Sequence, residues 1–385
     1  MAVYRMILNE TSYFGDDAIS VLPDEIRSRG FQKALVVTDK DLIRFGVSKR
    51  VTSLLDRNGL DYEIFSDIKQ NPTIANVKAG VEAFQNSRAD YIIAIGGGSS
   101  IDTGKAIGII IRNPEFSDVK SLAGEAPTKN RAVPLIAVTT TAGTAAEVTK
   151  NYVITDEERQ VKFPCVDPHD IPIVAIVDPR MMSSMPKSLT ANTGMDALTH
   201  AIEGYIAKGA WEFTDMLNLK AVELIGRSLR KAVHENDGGA RFDMAVGQYL
   251  TGMGFSNCGL GIVHSMAHQL GGVYDTPHGI ANAVLLPYVM AYNADYTGEK
   301  FKHIAKAMGV SGTREMSPAE YRKAAIDAVI ELSKDIGIPQ KLREIGVMEK
   351  DIPRLSKAAL ADGCTEGNPR PASVEEISAI YMTAF

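Results

Sequence analysis

Between residues 33 and 138, four short apolar runs alternate with helix-patterned segments, and this alternation restricts the fold more than any other feature of the chain. The runs are KALVVTD (33–39), YEIF (62–65), YIIAI (91–95) and PLIAV (134–138). Runs this short and rich in β-branched residues are the mark of strands buried in a parallel sheet. Residues 48–58 carry helical spacing and stop at Gly59, and residues 73–85 read as a helix after the Asn71-Pro72 break. Residues 101–111 read as a helix after Gly96-Gly97-Gly98-Ser99. Strand, turn, helix and strand in this order imply βαβ units and a parallel sheet. Residues 152–154 and 160–163, on either side of TDEE (155–158), read as a hairpin, and residues 173–177 as one more strand before Asp178-Pro179.

Past Met181 the pattern changes. Residues 217–233, 244–256, 301–308 and 319–336 have helical periodicity, the last opening after Ser317-Pro318. A chain of 385 residues is too long for one typical core. We therefore expect an α/β, Rossmann-like nucleotide-binding domain over residues 1–182 and an all-helical metal-binding, catalytic domain over residues 183–385. The formal net charge is -6 and no block of Lys and Arg occurs, which argues against nucleic-acid binding. Cys165, Cys258 and Cys364 are too few and too scattered for a disulfide framework and fit a reducing compartment. MAVYRMILNE lacks the long apolar core of a signal peptide, and no apolar stretch approaches a membrane span. The expectation is a cytoplasmic protein without membrane contact.

A glycine turn between a buried strand and a helix lets backbone N–H groups approach a phosphate, with the helix dipole adding to the attraction. Gly96–Ser99 stands in that context but lacks the G-x-G-x-x-G spacing, and a tight turn alone also needs glycine. Asp39 ends the run KALVVTD, where its carboxylate can accept from a ribose 2′-OH and repel a 2′-phosphate, favouring NAD over NADP. It can equally cap the helix that follows. Thr139–Thr144 adds hydroxyls and small residues at another strand end, or forms a polar turn.

Asp196 and His200 are four apart in a helix-patterned stretch, so both reach one point. His264 and His268 repeat the spacing, and His278 follows where Thr276-Pro277 opens a new helix. Four of the seven histidines fall in this set, and His169, His234 and His303 read as surface residues. A lone helix-face histidine is ordinarily a hydrogen-bonded core residue, but this clustering favours a metal. Mixed carboxylate and imidazole ligands suit Zn, Fe(II) or Co rather than Ca or Mg. One of His264 and His268 lies outside the ligand set, and spacing does not say which.

Four stretches together resemble the iron-containing (group III) alcohol dehydrogenase family: GGGSSIDTGKAIG (96–108), TTTAGTAAEVT (139–149), TGMDALTHAIEGY (193–205) and GLGIVHSMAHQLGGVYDTPHGIANA (259–283). The resemblance spans essentially the whole chain. It implies an NAD(H)-dependent oxidoreductase with Fe2+, or Zn2+, held by Asp196, His200, His264 and His278, with His268 just outside and able to relay a proton. It implies a nucleotide site at Asp39, Asn71, Gly97, Gly98, Ser99, Asp102, Thr139, Thr140, Thr144, Thr149 and Lys162, and substrate contacts from Asn151, Phe255, Leu260 and Cys364. It also implies a homodimer, with a strand near residues 5–9 exchanged between subunits. RMILNET, NYVITDEE, KFPCVDPHDIP, AIEGYIAKGAW and GMGFSN are similar to the branch that interconverts lactaldehyde and propane-1,2-diol. A branch acting on 1,3-propanediol shares the site motifs. Dehydroquinate synthase-like lyases share the two-domain plan, NAD and a metal, but need a basic cluster for a phosphorylated substrate. Gly, Met, Leu and Tyr surround His264–His278 instead.

Overall fold

In the computed structural model, which describes residues 3–159 and 161–385, the apolar runs build a six-stranded sheet in which every pairing is parallel. Its strands are β1 (Thr11–Phe14), β2 (Lys33–Val37), β3 (Asp61–Phe65), β4 (Tyr91–Gly96), β5 (Leu135–Thr139) and β8 (Val174–Val177). They lie in the order β1-β8-β5-β4-β2-β3. Between β5 and β8 the chain makes an antiparallel hairpin of β6 (Asn151–Asp156) and β7 (Val161–Val166). This is the hairpin expected around TDEE; Gln160, which belonged to that expectation, lies outside the described residues.

The uniform apolarity of the runs has a direct cause, for both faces of the sheet are covered. Ala34, Val36, Ile93, Ile95, Ile136 and Val138 point into one core with Leu22 and Ile26 of α1 (Leu22–Ser28) and Val51 and Leu55 of α2 (Val47–Arg57). Leu35, Val37, Ile92, Ala94, Leu135 and Ala137 point into the other, with Phe84 of α3 (Ile74–Ser87) and Ile101 and Ile107 of α4 (Gly98–Arg112). Alternate residues of one strand thus feed two cores, and neither set can be polar. Helix α4 begins at Gly98, directly on the glycine turn and three residues before the expected start. The edge strand β1 was not expected from the sequence, whereas residues 5–9 carry no helix or strand.

The topology selects one crevice. From β2 the chain runs outward to β3, then returns to the opposite side of β2 with β4. Strand order reverses between β2 and β4, and open α/β sheets bind ligands beyond the carboxyl ends of strands at such a reversal. Asp39 follows β2 and Gly97 follows β4.

Helices dominate the rest: α5 (Lys187–Ile206), α6 (Glu212–His234), α7 (Gly238–Cys258), α8 (Ile262–Tyr274), α9 (His278–Asn293), α10 (Pro318–Asp335) and α11 (Val374–Ala384). Ser317 caps α10 in a capping box with Glu320. Helices α5, α6 and α7 pack on one another, and α9 packs on α5 and α8. Gly204 is what lets the first three approach, since a Cβ there would lie 2.8 Å from Asn218 Nδ2 and 3.1 Å from Phe255 Cβ. The chain divides into two compact units, residues up to Thr141 with Ala145–Ser184, and Ala142–Thr144 with Met185–Phe385. Among the described residues, no helix is long and apolar enough to cross a membrane.

In the first unit the fully buried Lys105 of α4 ties the helix to the segment before β6. Its Nζ donates to the carbonyl oxygens of Thr149 at 2.5 Å and Asn151 at 2.8 Å. Replacing Lys105 by Met removes both bonds to this segment. The Lys105→Met protein is expected to lose about 2–4 kcal/mol of stability, read as a lower urea midpoint; an unchanged midpoint would contradict this role.

Candidate metal centre and nucleotide site

Helix α5 places Asp196 and His200 one turn apart, with 2% and 6% of their surfaces exposed. Helix α8 brings His264 from one side, and the first residue of α9, His278, from another. One ligand atom from each of these four residues lies within 4.8 Å of the others. The entry of α9 depends on Gly279, because a Cβ there would overlap the carbonyl oxygen of Asn192 on α5 and lie 3.3 Å from Asp196 Cβ. Only a residue without a side chain lets His278 come this close to Asp196, whose Oδ1 is 3.6 Å from His278 Nε2.

These residues fit a divalent cation. Buried polar groups are normally paired, yet His200 Nδ1 is buried without a hydrogen-bond partner. Burial lowers the pKa of His200, and burial together with the neighbouring imidazoles lowers that of His264 far more. Both rings are therefore neutral near pH 7, the form that coordinates a metal. Phe255 stacks on the His200 ring at 4.4 Å and covers it with an apolar face. Helix α8 also carries His268, but its Nδ1 pairs with Asp362 Oδ2 at 2.9 Å. His268, Asp362 and Cys364 form a second group with ligand atoms within 4.8 Å of one another. The equal spacing of His264 and His268 is thus resolved by position, since His264 falls in the four-residue cluster and His268 in the second group. The rings of His268 and His278 stack at 5.5 Å, so the second group adjoins the first.

Three residues near these groups escaped the motif reading. Glu203, on the same face of α5, bonds His264 Nδ1 at 2.5 Å. Asn282, one turn after His278, donates from Nδ2 to Asp196 Oδ1 at 2.7 Å. Asp362 has no local signal, since 94 residues separate it from His268. Glu203 and Asn282 were legible in principle as polar residues at helical spacing from a ligand.

In the first unit, Asp39 caps the short helix Lys40–Arg44, its Oδ1 accepting from Leu42 N at 2.8 Å. The capping alternative is therefore realised, and a ribose contact would fall to the remaining oxygen. Helix α4 starts at Gly98 with no side-chain cap on its N-terminal N–H groups, which suits a phosphate. A Cβ at Gly97 would lie 2.8 Å from Thr141 Oγ1, so the turns after β4 and β5 approach as closely as glycine allows. Thr140 N donates to Gly96 O at 3.0 Å, and Thr139 Oγ1 to Thr141 O at 3.1 Å. Ser99 Oγ donates to Gln70 O, and Lys162 Nζ to Asn71 Oδ1 at 2.8 Å. Asp102 accepts from Val153 N at 3.0 Å and holds the hairpin, its carboxyl pushed up to about 7 by desolvation. Thr149 accepts from Lys105 through its carbonyl oxygen. Thr144 belongs to the second unit. Of the substrate candidates, Asn151 opens β6, and the other three lie in the second unit, Phe255 buried, Leu260 and Cys364 half-buried. His234 and His303 are exposed, as expected, but His169 is half-buried and bonded to Thr128 Oγ1 at 2.9 Å.

A parallel sheet with a glycine turn at its point of reversal, joined in one chain to a helical unit with a mixed imidazole–carboxylate cluster, is the plan of an enzyme that works with a nucleotide and a metal ion. Comparison with known proteins makes this specific. Residues 9–179 match the family described as iron-containing alcohol dehydrogenase, and residues 190–385 match the C-terminal part of the Fe-containing alcohol dehydrogenase family. Lactaldehyde reductase of Escherichia coli K12 is 59% identical over 381 residues, covering 99% of either chain. 1,3-Propanediol dehydrogenase of Citrobacter freundii is 45% identical over 388 residues, covering 99% of this chain and 100% of that one. The crystal structure of a 1,3-propanediol oxidoreductase superimposes over the whole of both chains with a TM-score of 0.96 at 44% identity. The chain belongs to the iron-containing alcohol dehydrogenase family, and the fold and family expected from the four motif stretches are borne out.

The separation of His264 from His268 has a measurable consequence. His268→Ala is expected to keep its full metal content while kcat falls about 10²-fold. Metal analysis beside steady-state kinetics reads both, and loss of metal would instead make His268 a ligand.

Proposed function

We propose that the protein is an NAD(H)-dependent, Fe2+-dependent dehydrogenase that interconverts lactaldehyde and propane-1,2-diol. Asp196, His200, His264 and His278 hold the ion. The observation that carries the reading is their convergence on one point beside an unpartnered buried imidazole nitrogen. The substrate follows from the 59% identical lactaldehyde reductase, against 45% for the 1,3-propanediol dehydrogenase. When bound, the ion supplies Lewis acidity at the substrate oxygen and the nicotinamide supplies or accepts the hydride.

The remaining work falls to side chains of this chain. Asp39 selects NAD through its free carboxylate oxygen. In the α/β unit, the glycine turn at Gly97-Gly98 and the hydroxyls of Ser99, Thr139, Thr140 and Thr149 serve the nucleotide, with Asn71, Asp102 and Lys162 holding the neighbouring segments, and Asn151 is a substrate contact. In the helical unit, Thr144 is a nucleotide contact, and Phe255, Leu260 and Cys364 are substrate contacts. His268, oriented by Asp362, passes a proton between substrate and solvent. A lyase acting on a phosphorylated substrate would need cations among these residues. Three free cysteines are consistent with a cytoplasmic setting, and we assign a homodimer in line with the resemblance drawn from the sequence.

Metal-free protein resupplied anaerobically with Fe(II) is expected to oxidise NADH with lactaldehyde at least about tenfold faster than protein resupplied with Zn(II). Equal or exclusive activity with Zn(II) would overturn the iron assignment, and a higher kcat/KM for 3-hydroxypropanal would move the chain to the 1,3-propanediol branch. Asp39→Gly is expected to relax the preference for NADH over NADPH by about tenfold or more, because a carboxylate opposing the 2′-phosphate is gone. An unchanged ratio of kcat/KM values would refute that role.

A further inference from the structure

Glu203 belongs to none of the sets above. It lies on α5 seven residues after Asp196 and three after His200, so one helical face carries all three. The side chain is 2% exposed. Its Oε1 accepts from Val263 N at 2.7 Å, and its Oε2 lies 2.5 Å from His264 Nδ1 and 3.4 Å from His264 N. Helix α8 starts after Gly261, which has no side chain to cap it. A Cβ at Gly261 would come within 2.8 Å of Glu203 Oε1. The carboxylate is therefore an N-cap for α8 supplied from another helix, where the dipole also favours an anion.

A cap uses one oxygen; the second is engaged by the His264 ring. A neutral imidazole has one N–H and one lone pair. An acceptor at Nδ1 keeps the proton there and leaves the lone pair on Nε2, which faces Asn282 Nδ2 at 3.2 Å. Asn282 in turn bonds Asp196 and lies 3.1 Å from His278 Nε2, so Nε2 of His264 points into the ligand cluster. We infer that Glu203 is a positioning residue of the metal centre, fixing the tautomer and the orientation of His264 so that Nε2 is presented as a ligand. Carboxylates that hold a metal-ligating histidine in this way are worth a factor of about 10–100 in metal affinity.

The inference rests on the metal-centre reading proposed above. The test uses the full-length protein and two variants, Glu203→Gln and Glu203→Leu, with folding verified by near-UV circular dichroism. Zn(II) affinity is measured by competition with a chelator. The tautomer of His264 is read in metal-free, 15N-histidine-labelled protein from the couplings of its ring nitrogens. Glu203→Leu is expected to bind Zn(II) about 10–100-fold more weakly and to lose the pure Nδ1–H form. Glu203→Gln keeps a neutral acceptor of the same shape and is expected to lose less affinity while retaining that form. A folded Glu203→Leu variant with wild-type affinity and an unchanged tautomer would overturn the inference. A wild-type protein that binds neither Zn(II) nor Fe(II) would instead overturn the metal-centre reading on which it rests.

Discussion

The close packing of α9 against both α5 and α8 governs what the helical unit can do, because it gathers one carboxylate and three imidazoles inside a protein interior. Hydrophobic packing alone would not choose such a set, since each polar group that leaves water must find a partner. Here the partners are the groups themselves, together with Glu203 and Asn282, and one imidazole nitrogen is left without any. Gly279 permits the approach of α9 to α5, and Gly204 that of α6 and α7 to α5, by offering no side chain where helices meet. The chemistry of the centre follows: neutral rings at His200 and His264, and an apolar cover from Phe255.

The α/β unit meets a different demand. A nucleotide needs exposed backbone donors and a discriminating carboxylate, which a sheet buried on both faces can present only at its strand ends. The reversal between β2 and β4 puts Asp39 and the glycine turn at neighbouring ends, and the close approach of Gly97 to Thr141 draws in the turn after β5. One oxygen of Asp39 caps a short helix, which fixes the carboxylate and leaves the other for the ribose contact proposed above.

How much of this was legible depends on the range of each interaction. The parallel sheet could be read because burial on both faces leaves uniform apolar runs, and Asp196 and His200 because one helical turn relates them. The edge strand β1 is half-exposed and short, so its pattern was too weak. Helix α4 was expected to start at Ile101, since glycine and serine are poor helix formers, but the helix begins on the glycines themselves. His264 and His268 lie one turn apart on one helix, and the groups that divide them between two clusters, Asp196 and His200 on one side and Asp362 on the other, are remote in sequence. Glu203 stands at helical spacing from His200, but its role shows only where α8 begins on its carboxylate.

The central claim is that a single divalent ion sits among Asp196, His200, His264 and His278. Anomalous diffraction at the iron edge, from crystals of protein loaded anaerobically with Fe(II), locates the ion without reference to activity. The account predicts one strong peak bounded by these four side chains. A peak beside His268, Asp362 and Cys364, or none within the four-residue cluster, would contradict it.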